Sequence, residues 1–116
     1  MAILLIGAAG AAGVLARYGI GQLSASLWST LAINVAGSLA LGILVHAGRE
    51  LSPELRDAIG TGLLGGFTTF STFGWETLTL LQNENPRGAF LYCGGSVILG
   101  LLAVWIGYAL CGGAKG

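Results

Sequence analysis

The chain has 116 residues and a formal net charge of +0, with five Lys and Arg against five Asp and Glu; hydrophobic residues make up 54% and charged residues 9%, and the mean hydropathy is +0.82. A soluble domain carries roughly a quarter charged residues to keep its surface wetted, so so few charges exclude a water-surrounded globule and make lipid much of the solvent. The length allows one domain, 1–116. No basic block points to nucleic acid, and one His with two separated cysteines offers no triad or metal cluster for an enzyme.

The first apolar stretch, Ala2–Leu23, is long enough to span a bilayer. It lacks a basic n-region and reads as a spanning helix rather than a cleaved signal peptide. It is small on every face from Gly7 to Gly13, which suits close helix packing. Its only charge is Arg17, with Gly13 and Gly21 one turn away on each side. An arginine in a span snorkels or pairs; at an aqueous vestibule it would instead raise the local anion concentration.

The second span is Leu27–Ala47. Thr30, Asn34 and Ser38 recur every four residues on it and share a face. Asn34 has two donors and an acceptor to satisfy, which fits either an interhelical hydrogen bond or a polar pathway. Ser38 and Gly42 form a small-xxx-small pair, and His46 reads as interfacial.

Ser52-Pro53-Glu54 marks a helix start by cap, proline and acid, and opens a third span over Glu54–Leu81. Its middle reads Gly65-Gly66-Phe67-Thr68-Thr69-Phe70-Ser71-Thr72-Phe73, poor material for a continuous helix. The composition predicts a break near Gly66–Thr69. Non-helical backbone at that depth needs protein or a water-lined cavity around it. A broken helix offers carbonyls that suit a cation and N–H groups that suit an anion. Phe70 and Phe73 follow, three apart and on one face; Glu76 continues that face. The rings fit plain packing or positive edges turned to a small anion. Glu76 fits an interfacial acid or a gatekeeper at a pore mouth.

Asn85-Pro86 opens the fourth span, Pro86–Leu110, on which Tyr92, Ser96 and Gly100 recur every four residues. The first two fit an anchor and a back-bonded hydroxyl, or a track of hydrogen-bond donors. Four spans put both termini on one side, with Arg49, Arg56 and Lys115 there against Arg17 and Arg87 on the other. So weak a bias hardly sets an orientation. Either a partner orients the chain, or it inserts both ways and pairs antiparallel with itself. The second fits a chain too small to enclose a pathway alone.

Gly10 to Tyr18, Thr30 to Gly37, and Gly62 to Phe73 with its Thr-Thr-Phe-Ser-Thr-Phe core resemble the small fluoride channels called Fluc or CrcB, over nearly the whole chain. The resemblance implies an all-α integral membrane protein with four transmembrane helices, the third broken mid-membrane, in an antiparallel, dual-topology homodimer. It implies two fluoride pores per dimer and a structural Na+ at the dimer centre. The sodium ligands would be the backbone carbonyls of Gly65 and Thr68. The fluoride pore would be lined by Asn34, Phe70, Ser71, Phe73, Glu76, Tyr92 and Ser96, with Arg17 at the vestibule. The implied task is passive export of cytoplasmic fluoride across the cell (inner or plasma) membrane, with no catalysis. Gly100 departs from the pattern, since some members carry a hydroxyl there; either water fills in or the track is shorter. A small four-helix drug exporter is the main competitor, but it needs an acid in the first helix, and this one has none. An accessory subunit without transport is the other.

Overall fold

The computed structural model describes residues 2–24 and 26–111; Lys115 of the charge tally lies outside them. All regular secondary structure among the described residues is helical, in an elongated body of 49 × 34 × 20 Å. Helix α1 runs over Ala2–Leu23 and α2 over Leu27–Ala47; a single 3-10 turn, Gly48–Glu50, follows. The third span comes in pieces: α3 (Pro53–Asp57), a π-helical stretch (Ala58–Leu64), α4 (Gly65–Phe67) and, after a gap of two residues, α5 (Phe70–Gln82). Helix α6 covers Pro86–Leu110.

Three helices, Ala2–Leu23, Leu27–Glu50 and Pro86–Leu110, are long and apolar enough to cross a membrane. The interrupted third span has no single helix of that length. The expected starts are in place. The Ser52 Oγ accepts from Leu55 N at 3.2 Å and the Asn85 Oδ1 from Gly88 N at 2.9 Å, each ahead of a proline. Ser26 caps α2 in the same way, accepting from Ser29 N.

Neighbours in sequence run antiparallel, but the tight pairings are between alternate helices, which run parallel. Helix α2 packs on α6: a Cβ built on Gly42 would overlap the carbonyl of Val104, and one on Gly107 would overlap that of Leu39. Helix α1 packs on the first half of the third span: a Cβ on Gly62 would meet Ile6 O at 2.6 Å, one on Gly66 would meet Gly10 O at 2.6 Å, and one on Gly13 would overlap Leu63 O. Apolar solvation gives helices in lipid little reason to associate, so close backbone approach has to supply the packing. Gly13 is the one buried residue of α1. Its other flanks carry Ile3, Leu4, Leu15 and Leu23, all exposed as lipid-facing side chains should be.

The interruption differs in one respect from the sequence expectation. The double glycine stays helical in α4; the extended residues are Thr68 (ψ 159) and Thr69 (φ −145, ψ 123). Gly66 keeps helical geometry because α1 lies against it, as the Gly10 contact shows. The Thr68 hydroxyl and amide both turn back to Leu64 O, each at 3.0 Å, and close the first half.

Candidate functional site

Every polar group freed by the break must find a partner. Thr69 is held by Asn34 through both ends of its amide: Nδ2 donates to Thr69 O at 3.0 Å, and Thr69 N donates to Oδ1 at 2.8 Å. The clasp comes from a residue 35 positions earlier, on α2. Thr69 also caps the second half, its Oγ1 accepting from Thr72 N at 3.2 Å. The Arg17 Nε donates to Gly66 O at 3.2 Å, so this arginine neither snorkels away nor pairs with a carboxylate through that nitrogen. The two carbonyl-bearing residues Gly65 and Thr68 border one open concavity of about 270 Å³, with Asn34, Ser38, Leu64 and Thr69.

A second cluster lies one to two turns along α5. The Glu76 carboxylate accepts from Thr30 Oγ1 at 3.1 Å through Oε2 and from Tyr92 OH at 2.7 Å through Oε1. Three spans therefore meet on one acid. Thr30 and Tyr92 are both buried, at 6% and 7% exposure. Buried hydroxyls need partners, and a carboxylate is acceptor-only when ionised, so the donors and the acid match. Thr30 belongs to this cluster although it was not among the sequence-derived site residues. Its signal was its place four residues before Asn34.

The phenylalanine pair divides. Phe73 is 8% exposed and tilts against Tyr92 with ring centroids 5.5 Å apart, whereas Phe70 is 83% exposed. The two rings still touch, at 5.7 Å. Ser71 is exposed, with its Oγ 3.4 Å from Thr69 Oγ1. Ser96 lies on the Tyr92 face of α6, and its buried Oγ has no hydrogen-bond partner among the described residues. Tyr92 and Ser96 line a largely apolar groove of about 410 Å³ with Leu27, Trp28 and Leu99. At Gly100, the position without a hydroxyl, the hydroxyl of Ser38 from α2 stands 3.8 Å from where a Cβ would be.

Arg17, Gln22, Ser29, Thr30, Thr72 and Glu76 line a further open cavity of about 620 Å³, rich in hydroxyl groups. It connects the Arg17 side of the break with the acid cluster. His46, expected at the interface, is half-buried with its ring edge-on to Tyr108 at 5.1 Å. The geometry thus offers donors, one acid and a backbone interruption on adjoining surfaces, the equipment of an ion pathway.

The family model described as CrcB-like protein, Camphor Resistance (CrcB), matches residues 4–108. The chain is 45% identical to "Fluoride-specific ion channel FluC" of Thermus thermophilus, covering 97% of this chain and 95% of that protein. It is 44% identical to "Fluoride-specific ion channel FluC 1" of Symbiobacterium thermophilum (95% and 97%) and 41% identical to the Listeria monocytogenes protein of the same name (92% and 94%). With its apolar spans and a match over nearly its whole length, the chain is a multi-pass membrane protein that belongs to the CrcB-like family.

Proposed function

We propose that the chain is a fluoride channel that exports cytoplasmic fluoride passively across the cell (inner or plasma) membrane. The single observation that carries the reading is the interrupted third span, clasped by Asn34 and opening α5 beside a hydroxyl-rich cavity. The names of the relatives support the choice of ion. Their family is one of ion channels rather than enzymes.

Fluoride is small and holds its water strongly, so a dry constriction must replace that water with donors. The remaining amide hydrogen of Asn34, the hydroxyls of Ser71 and Ser96, the phenol of Tyr92 and the ring edges of Phe70 and Phe73 serve as those donors and positive edges. Arg17 at the vestibule concentrates anions. Glu76 competes for the Tyr92 and Thr30 protons and so meters how many donors face the ion. Ser38 supplies beside Gly100 the hydroxyl that α6 lacks there.

The working unit in this reading is an antiparallel homodimer with two pores. Phe70, exposed on one protomer, is then covered by the second. A structural Na+ at the dimer centre fits the donors: carbonyl oxygens are hard ligands, and those of Gly65 and Thr68 stand at the negative end of the first half-helix. One chain offers too few, and two copies complete the set. The ion would neutralise the facing helix ends.

Purified protein in liposomes tests the proposal. Fluoride efflux by wild type, with strong loss in Phe70→Ile and Asn34→Ala, supports it. Silence from intact dimers would favour an accessory subunit, and variants that conduct like wild type would remove the pore assignment.

A further inference from the structure

Arg17 carries more than a vestibule charge. The first half of the third span ends in carbonyls with no further helical turn to accept from. Leu64 O takes Thr68 twice, and Gly66 O takes Arg17 Nε from α1. On the far side of the same interruption Asn34 of α2 holds Thr69 by two bonds. The four residues Gly66 to Thr69 are therefore gripped from two helices, one contact before the extended pair and one within it. α1 also lies directly under Gly62 and Gly66, so the guanidinium leaves a helix already fixed against its target.

We propose that Arg17 is a positioning residue for the break: its Nε–H fixes Gly66 O, and through it the extended Thr68–Thr69 backbone and the start of α5. Lysine cannot take this part. Its ammonium is a point charge at the end of a longer flexible stem, and it has no donor at the Nε position. Glutamine can, because its amide offers an N–H on a shorter stem without the charge. Charge and position therefore predict opposite orders for two substitutions. The flux readout rests on the fluoride reading above; the second readout does not.

The test uses the full chain with Arg17→Lys and Arg17→Gln, purified to a single size, reconstituted for fluoride efflux and examined by hydrogen exchange at Thr69 and Phe70. If Arg17 positions the break, R17K loses about tenfold or more in flux, the scale of one lost charge-assisted hydrogen bond. It also exchanges faster at Thr69, whereas R17Q keeps more of both. R17K that conducts like wild type with unchanged exchange overturns the inference, as does R17Q failing where R17K succeeds. Equal loss in both with unaltered exchange at Thr69 and Phe70 also overturns it. Wild type without fluoride flux, but with the expected exchange order among the variants, would strike the fluoride reading and leave the positioning role standing.

Discussion

The two halves of the third span are held by opposite means. From Pro53 to Phe67 the chain lies against α1, and the contact is backbone on backbone at Gly10, Gly13, Gly62 and Gly66. From Phe70 onward it is held by side chains: Glu76 to Thr30 and Tyr92, Phe73 to Tyr92. At Gly62 and Gly66 the first half thus has no room for added atoms, whereas the second depends on the side chains it carries. Packing without side chains makes a rigid platform in lipid, where apolar association is weak. Polar side chains beyond it make a surface that can exchange partners with an ion. The break is the seam between the two.

The largest expected effect comes from adding atoms to the packed regions. Gly42→Leu and Gly13→Leu force a side chain into the carbonyls of Val104 and Leu63, and each is expected to cost about 3 kcal/mol or more. Loss of a single folded species in detergent, followed by size-exclusion chromatography and thermal unfolding, measures it. Gly100→Ala is the control. Its Cβ would meet only the Ser38 hydroxyl, at 3.8 Å, and stability should change by less than about 0.5 kcal/mol. If both kinds of variant were equally stable, the backbone contact would not be what holds the platform.

Next in size is the seam. Asn34→Ala leaves Thr69 N and O without their partners and is expected to cost about 1–3 kcal/mol, two half-buried hydrogen bonds' worth. Asn34→Asp keeps the acceptor for Thr69 N but loses the donor to Thr69 O, so it should fall between. Thermal unfolding ranks the three, and an alanine variant as stable as wild type would show that the clasp is incidental.

In the second half, removal is the probe. Tyr92→Phe keeps the ring against Phe73 and takes one donor from Glu76; Thr30→Val takes the other. Each is expected to cost about 1–2 kcal/mol. Because both donors serve one acid, the double variant should depart from the sum of the singles. A strictly additive cycle would mean that the two hydroxyls do not share Glu76 in the membrane.

The same division explains what could be read beforehand. The four spans, the caps at Ser52 and Asn85 and the interruption itself are local properties. Proline, a capping side-chain oxygen and a Thr-rich run after two glycines write them into a few consecutive residues. The partners of those groups are not local. Asn34 reaches across 35 positions and Arg17 across 49, and no periodicity on one helix names the backbone atom that a side chain on another will take. The break falls within the expected Gly66–Thr69 stretch, but at its threonine end, because glycine in lipid serves close approach as readily as it breaks a helix. Gly66 does the former, and Thr68 and Thr69 bear the interruption. Thr30 shows the intermediate case. Its face was evident from the four-residue spacing, but its partner lay on another span. The π-helical stretch Ala58–Leu64 gave no sequence warning at all.

The smallest effect tests whether the second half is sensitive everywhere or only where its side chains are buried. At the end of α5 the chain closes with Glu84 N donating to Leu81 O at 3.1 Å and Asn85 N to Leu80 O at 2.9 Å, a Schellman arrangement. It requires a left-handed residue, and Glu84 takes that conformation at φ 57, the one non-glycine to do so among the described residues. A β-carbon in that region costs roughly 1 kcal/mol, which glycine avoids. Glu84 is exposed and caps no buried partner, so Glu84→Gly should raise stability by about 0.5–1 kcal/mol, the gain offset in part by the greater freedom of glycine in the unfolded chain. Thermal unfolding beside wild type checks the sign. A loss instead of a gain would mean that the Glu84 side chain does something in the turn that its exposed position does not disclose.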